Sequence, residues 1–152
     1  MTRNVRHLSA ALGFFAPLLL AGAAMAQSCP EDQRDNRGDC PTPLHMDKGA
    51  YGLAVTGHLT PDHYRNIYSL KVGARQSLVI AFAGAHDMTG EISCGADGGD
   101  GPWYGGGNVF TTAHAGTCYI NVGANTRTGD PWSGNYTLTV VVTTPQPAED
   151  RN

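Results

Sequence analysis

Between Gly52 and Thr143 the chain is written in short runs of alternating apolar and polar residues, each closed by glycine, proline, asparagine or aspartate. A period of two puts every second side chain on one face of a strand, and no window here carries the period of a helix. Strands are expected near Gly52–Leu59, Ile67–Val72, Ser77–Ala83, Glu91–Cys94, Asn108–Thr112, Thr117–Val122 and Tyr136–Thr143. Pro61-Asp62, Gly73-Ala74, the Gly95–Gly107 stretch, Gly116 and Gly129-Asp130-Pro131 read as the turns between them. The alternation groups Tyr68, Leu70 and Val72, then Leu78, Ile80 and Phe82, then Ile92 with Cys94. It goes on through Cys118, Ile120 and Val122 to Tyr136, Leu138, Val140 and Val142. The expected fold is therefore all-β, an antiparallel, jelly-roll-like β-sandwich of about seven or eight strands.

The segments outside this domain (49–143) have a different character. Residues 1–26 open with Arg3 and Arg6, run through apolar residues from Leu8 to Ala23 and reach Ala24-Met25-Ala26. That is the pattern of a secretory signal peptide cut after Ala26. The run is too short and too rich in Ala and Gly to span a membrane. Gln27-Ser28 before Cys29 do not suit a lipid attachment site, so no membrane anchor is expected. Without a twin-arginine pair, Sec-type export to a bacterial periplasm or to the outside is the expectation. Residues 27–48, polar and rich in Pro and Asp, read as an irregular N-terminal arm closed by a disulfide. Residues 144–152 are expected to be a disordered tail.

All four cysteines follow the leader, which places them in an oxidising compartment. Four cysteines permit three pairings. Cys29–Cys40 and Cys94–Cys118 are favoured because each joins locally consistent segments, and Cys94 and Cys118 share the apolar face. Each closure adds about 2–4 kcal/mol in the chain-entropy picture. A zinc site competes for the same residues, but no CxxC pair is present. Removing Arg3 and Arg6 from the 10 Lys+Arg leaves eight against 13 Asp+Glu, a net charge of −5. A chain with that balance and no basic stripe is not a nucleic-acid binder.

Two stretches resemble known families. "GHLTPDHYRNIYSLKVGARQSLVIAF" (Gly57–Phe82) resembles the opening of a bacterial pre-peptidase C-terminal domain: a Gly-x-Leu strand, an aromatic-led strand, a Gly-x-x-Gln turn and an apolar strand. "AGTCYINVGANTRTGDPWSGNYTLTV" (Ala115–Val140) is similar to that family's ending, with Cys118 standing where an aromatic is usual. This resemblance implies a non-catalytic β-sandwich that recognises a secreted protein or a glycan through its loops. Ser133-Gly134-Asn135-Tyr136 resembles the Ser-Gly-x-Tyr motif that periplasmic inhibitors of invertebrate-type lysozymes carry in the loop entering the enzyme cleft. Goose-type lysozyme inhibitors are likewise small exported β-sandwiches. The second resemblance implies that Ser133 and Tyr136 enter a lysozyme cleft, with Arg127 and Trp132 in support.

The residue types suit such a loop. A serine hydroxyl and a phenol can reach hydrogen-bond partners in an acidic cleft. Arg127 can pair with a carboxylate through two parallel hydrogen bonds, and Trp132 can serve as an apolar anchor. Against this, Tyr136 falls in register with Leu138 and Val140, which assigns its ring to the core face. An alternative ligand loop is "CGADGGDGPWYGGG" (Cys94–Gly107), where Asp97 and Asp100 offer oxygens to Ca²⁺ and Trp103 and Tyr104 can stack on a sugar. A hard cation wants six to eight oxygens, so a flexible, disulfide-anchored loop is the plainer reading and no cofactor is expected. The histidines make no HExxH or other tight metal spacing. Ser133 lacks a Gly-x-Ser-x-Gly elbow because position 131 is proline, and no free thiol is expected. The chain is expected not to be an enzyme.

Overall fold

A computed structural model of the protein describes residues 28–84, 87–127, 129 and 131–144. The expected signal peptide, most of the tail, His86 and Asp130 lie outside the described residues. Among the described residues nine strands form: β1 (Thr42–Leu44), β2 (Gly52–Leu59), β3 (Arg65–Val72), β4 (Ser77–Ala83), β5 (Met88–Ser93), β6 (Gly99–Tyr104), β7 (Gly107–Thr111), β8 (Gly116–Ala124) and β9 (Gly134–Thr143). They make two stacked sheets, one of five strands in the order β1-β3-β8-β5-β6 and one of four in the order β2-β9-β4-β7. Every pairing is antiparallel except β1 with β3. The protein is the disulfide-bridged all-β sandwich that its alternation predicts.

The bounds of β2 and β4 match the pattern residue for residue. β3, β8 and β9 run longer into polar or glycine positions, as β9 does through Gly134 and Asn135, while β5 and β7 begin earlier and stop one residue short, before Cys94 and Thr112. Two strands were not expected. β1 is three residues long, too short to show a period, and holds Pro43 at the sheet edge, where a missing N–H goes unmissed. β6, "GDGPWY", falls in the stretch read as a flexible loop and corrects that reading. It has no alternation because its pairing with β5 shifts register between Gly90 and Ile92. What fixes it is the Trp103 ring, which lies over Gly90 and stacks near Phe82 with ring centroids 6.4 Å apart.

The inner faces carry the residues grouped above: Tyr68, Leu70, Leu78, Ile80, Phe82, Ile92, Ile120, Val122, Leu138 and Val140 are buried, joined by Leu59 and Met88. Val142 packs at the margin. Each fully buried Leu, Ile or Val contributes about 1.5–3 kcal/mol relative to exposure, so this layer dominates stability. Cys94–Cys118 ties the end of β5 to β8 at the core's edge, and Cys29–Cys40 closes the arm. The arm is held against the sandwich by polar contacts. Asp35 Oδ2 lies 2.7 Å from His63 Nε2, Asn36 Nδ2 donates to the Asp62 carbonyl, and Arg65 Nη2 donates to the Arg34 carbonyl.

Strand pairing places Gly105-Gly106 at one end of the sandwich together with the described residues of three other connections, 60–64, the β4–β5 turn and 125–133. The last three are tied to one another by hydrogen bonds from Ala124 N–H to the Tyr64 carbonyl and from Asn125 N–H to the Asp87 carbonyl. The opposite end holds the Gly73–Gln76 turn, Tyr51 and Thr144.

Candidate functional site

The seam between the 125–133 loop and β9 is where the expected binding residues meet the core. Tyr136 is 2% exposed. Its hydroxyl lies 2.7 Å from that of Tyr68 and accepts from Asn66 Nδ2 at 2.8 Å. Burial pushes the Tyr136 phenol far above its ordinary range, and the bond to Tyr68 adds to this; burial raises Tyr68 as well. Both stay neutral at any physiological pH. The expectation that Tyr136 reaches into a partner is therefore corrected: the period-2 register of β9 wins, and the phenol is satisfied inside.

The other three residues of the seam lie above this network. Ser133 is exposed, and its hydroxyl donates to the Leu59 carbonyl at 3.2 Å, joining the start of β9 to the end of β2. A serine engaged on a carbonyl is a structural clasp, not a nucleophile facing a base. Trp132 is half-buried against the core, with its indole folded across Gly134. A Cβ at Gly134 would run into that indole, and Gly134 has φ 152°, which an L side chain rarely adopts. This explains the glycine of the Ser-Gly-Asn-Tyr motif without reference to a partner. Arg127 is exposed, with its backbone N–H donating to Asn125 Oδ1. At this end of the sandwich Arg127 and Ser133 are exposed, Trp132 is half-buried and Tyr64 is 37% exposed.

Sequence reasoning missed Tyr64 and the pair His58–Asn135, whose Nδ1 and Oδ1 are 2.8 Å apart at the same end. The pairing of β2 with β9 brings these last two side by side, and that pairing spans 77 residues of sequence. No local motif carries it.

The alternative ligand loop is organised differently from the expectation. Both carboxylate oxygens of Asp97 are engaged: Oδ1 with His114 Nδ1 at 2.6 Å, Oδ2 with the backbone N–H groups of Ala113 and His114. The His114 ring and amide, with that of Ala113, hold the carboxyl below its usual range. Asp100 Oδ2 accepts from Asn108 Nδ2 at 2.6 Å. Trp103 faces inward, so of the stacking pair Tyr104, 54% exposed, is the one presented. Asp97 is a fastener between loops, and the sugar platform of Trp103 with Tyr104 is split between inside and outside.

Among the described residues one group of three potential metal ligands is close-set, Asp35, Asp39 and His63, with ligand atoms within 4.8 Å of one another. Asp35 Oδ1 already accepts the amides of Arg37 and Asp39, and its Oδ2 faces His63. The arrangement is complete as a latch for the arm. A groove of about 720 Å³ opens at the opposite end, walled by Leu44, Met46, Tyr51, Lys71, Tyr119 and Val142. None of Arg127, Trp132, Ser133 or Tyr136 borders it. No helix among the described residues is long and apolar enough to cross a membrane.

No protein-family model matches the chain, and no curated protein matches it in sequence. In structure it is similar to PliG of Aeromonas hydrophila, a periplasmic inhibitor of g-type lysozyme, with TM-score 0.55, 19% identity, and 68% of this chain and 96% of that one covered. It is similar in the same way to Salmonella Typhimurium PliG, with TM-score 0.53 and 14% identity over 68% of this chain and 97% of that one. A pre-peptidase C-terminal domain of Bacillus anthracis collagenase aligns over 68% of this chain and 94% of its own, at TM-score 0.44 and 14% identity. At these identities the likeness is one of fold, and this chain has the β-sandwich of the periplasmic g-type lysozyme inhibitors over nearly their whole length.

Proposed function

We infer that this protein is an exported, non-catalytic binding module that inhibits a goose-type lysozyme in the periplasm through the Trp132 end of its sandwich. The observation that carries the reading is the fold match to two g-type inhibitors over 96% and 97% of their lengths. The composition agrees with it, since a net charge of −5 after the leader attracts a cationic lysozyme. Arg127, Ser133 and the open edge of Trp132 form the contact surface, joined by Tyr64. Tyr136 serves from below, holding the base of the loop to the opposite sheet. Two disulfides suit an oxidising compartment outside the cytoplasm.

The test is a lysis assay with goose-type and invertebrate-type lysozymes titrated by the purified protein. Dose-dependent loss of goose-type activity, weakened by salt, is expected. Unchanged activity of both enzymes at micromolar excess sinks the reading.

A further inference from the structure

None of the strands β2, β9, β4 and β7 contains Asp, Glu, Lys or Arg, in a chain that is 15% charged. The charged strand residues Arg65, Lys71, Glu91 and Asp100 all belong to the other sheet. Exposed sheet faces are ordinarily guarded by charge, which keeps them from associating. Here the strands of the four-stranded sheet put no Asp, Glu, Lys or Arg on the outward face, and Val79 is 39% and Val109 60% exposed. Its residues stand in cross-strand rows fixed by register. One row reads Val109, Val79, Val141, Gly52. The next reads Gly107, Ala81, Thr139, Ala54. A ridge of valines therefore runs beside a trough of small residues; the rows next to these two hold only Ser, Thr and Ala, and the last row, toward the Trp132 end, holds His58 and Asn135.

We propose that this face is the interface of a symmetric homodimer in which the valine ridge of each copy fills the small-residue trough of the other. A twofold axis lying between the two rows, across the strands, sets each strand antiparallel over its own counterpart. Val79 then meets Ala81 of the second copy and Val109 meets Gly107, so one pattern supplies both knob and hole. Two sheets pack face to face at about 10 Å, the distance at which such side chains interdigitate. Four strands at ~4.8 Å spacing and about six residues at ~3.4 Å rise give on the order of 800 Å² for the two faces together. That is below the standard size of a specific interface, so the dimer is weak and reversible, with a dissociation constant in the micromolar range. The inference rests on sheet register and stands apart from the lysozyme reading. Salt separates the two, since it weakens attraction to a cationic enzyme and strengthens contact between two neutral faces on like-charged copies.

Sedimentation velocity of the purified protein over about 1–500 μM tests it, because a micromolar dimer must appear within that range. The expected result is a monomer–dimer equilibrium shifted toward dimer by salt. Val79→Lys and, separately, Val109→Lys should raise the dissociation constant at least tenfold while leaving the thermal midpoint of the monomer unchanged. Val79→Lys/Ala81→Glu should restore the dimer by pairing the two charges across the axis, and Ser93→Lys on the other sheet should leave it as in wild type. A wild-type protein that stays monomeric throughout overturns the proposal, as does a Val79→Lys variant that dimerises like wild type. Retention of a monomeric protein on insoluble chitin, lost in Val79→Lys, also overturns it and assigns the face to a glycan.

Discussion

Tyr68 and Tyr136 come from opposite sheets, and their phenol oxygens meet 2.7 Å apart in the core. Asn66 closes the chain of bonds by donating to Tyr136 from the end of the sandwich. The pair is a polar rivet through an otherwise apolar layer. Removing one hydroxyl leaves the Asn66 amide and the Tyr68 phenol short of a partner. Tyr136→Phe is therefore expected to cost about 1–3 kcal/mol in urea unfolding. Lysozyme inhibition per folded molecule should be unaffected, and a selective loss of inhibition in a fully stable variant would return Tyr136 to the contact surface.

Gly57 faces the Tyr136 ring directly, and a Cβ there would overlap the phenol. Gly57→Ala is expected to cost more than Tyr136→Phe, about 2–4 kcal/mol, because backbone or ring must move in a packed core. Thermal melts of the two variants and the double variant measure this. A double variant less destabilised than the sum shows that both act through one ring.

Arg127 and Ser133 separate binding from stability. Arg127 is an exposed residue, so Arg127→Ala should leave the unfolding midpoint within about 0.5 kcal/mol of wild type while weakening inhibition about tenfold or more. Ser133→Ala should lower stability by about 0.5–1.5 kcal/mol through loss of its bond to Leu59. If Arg127→Ala inhibits as well as wild type, the contact surface lies elsewhere.

The arm should come loose in acid. Burial alone would raise the Asp35 carboxyl, but the amides of Asp39 and Arg37 and the His63 ring outweigh it and hold the carboxyl below its ordinary value of 3.8. A carboxyl depressed by folding contributes stability that is complete above its ordinary value and is lost as pH falls through the folded value. Stability should thus decline below about pH 4. Asp35→Asn should flatten that slope and cost about 1–2 kcal/mol at pH 7. Unfolding curves at pH 7 and pH 3 check both, and an unchanged slope in Asp35→Asn would assign the acid loss to other carboxyls.

The sandwich was legible because its core strands obey one rule. Leu78, Ile80 and Phe82, or Leu138 and Val140, read inward on alternation alone, and Cys94 and Cys118 fell on the same face as the residues they now join. β6 was not legible, since its order comes from Trp103 seated on Gly90 and from pairing with β5, neither of which leaves a local period. The site divided along the same line. Register placed Tyr136 inside, where the motif reading had it reaching out. The placing of Ser133 and Tyr64 at one end depends on contacts between segments 60 to 74 residues apart, which only the folded chain brings together.

β9 lies between β2 and β4, and β2 pairs with no other named strand. Gly52 is matched to Val141, so the first long strand of the sandwich waits for the last. If the chain is threaded through an export channel from its N-terminus, β4 and β7 can pair early, but β2 cannot join the sheet before the last strand arrives. β2 would stay unpaired until Gly134–Thr143 had followed, and until then it would be the natural cargo of a holding chaperone.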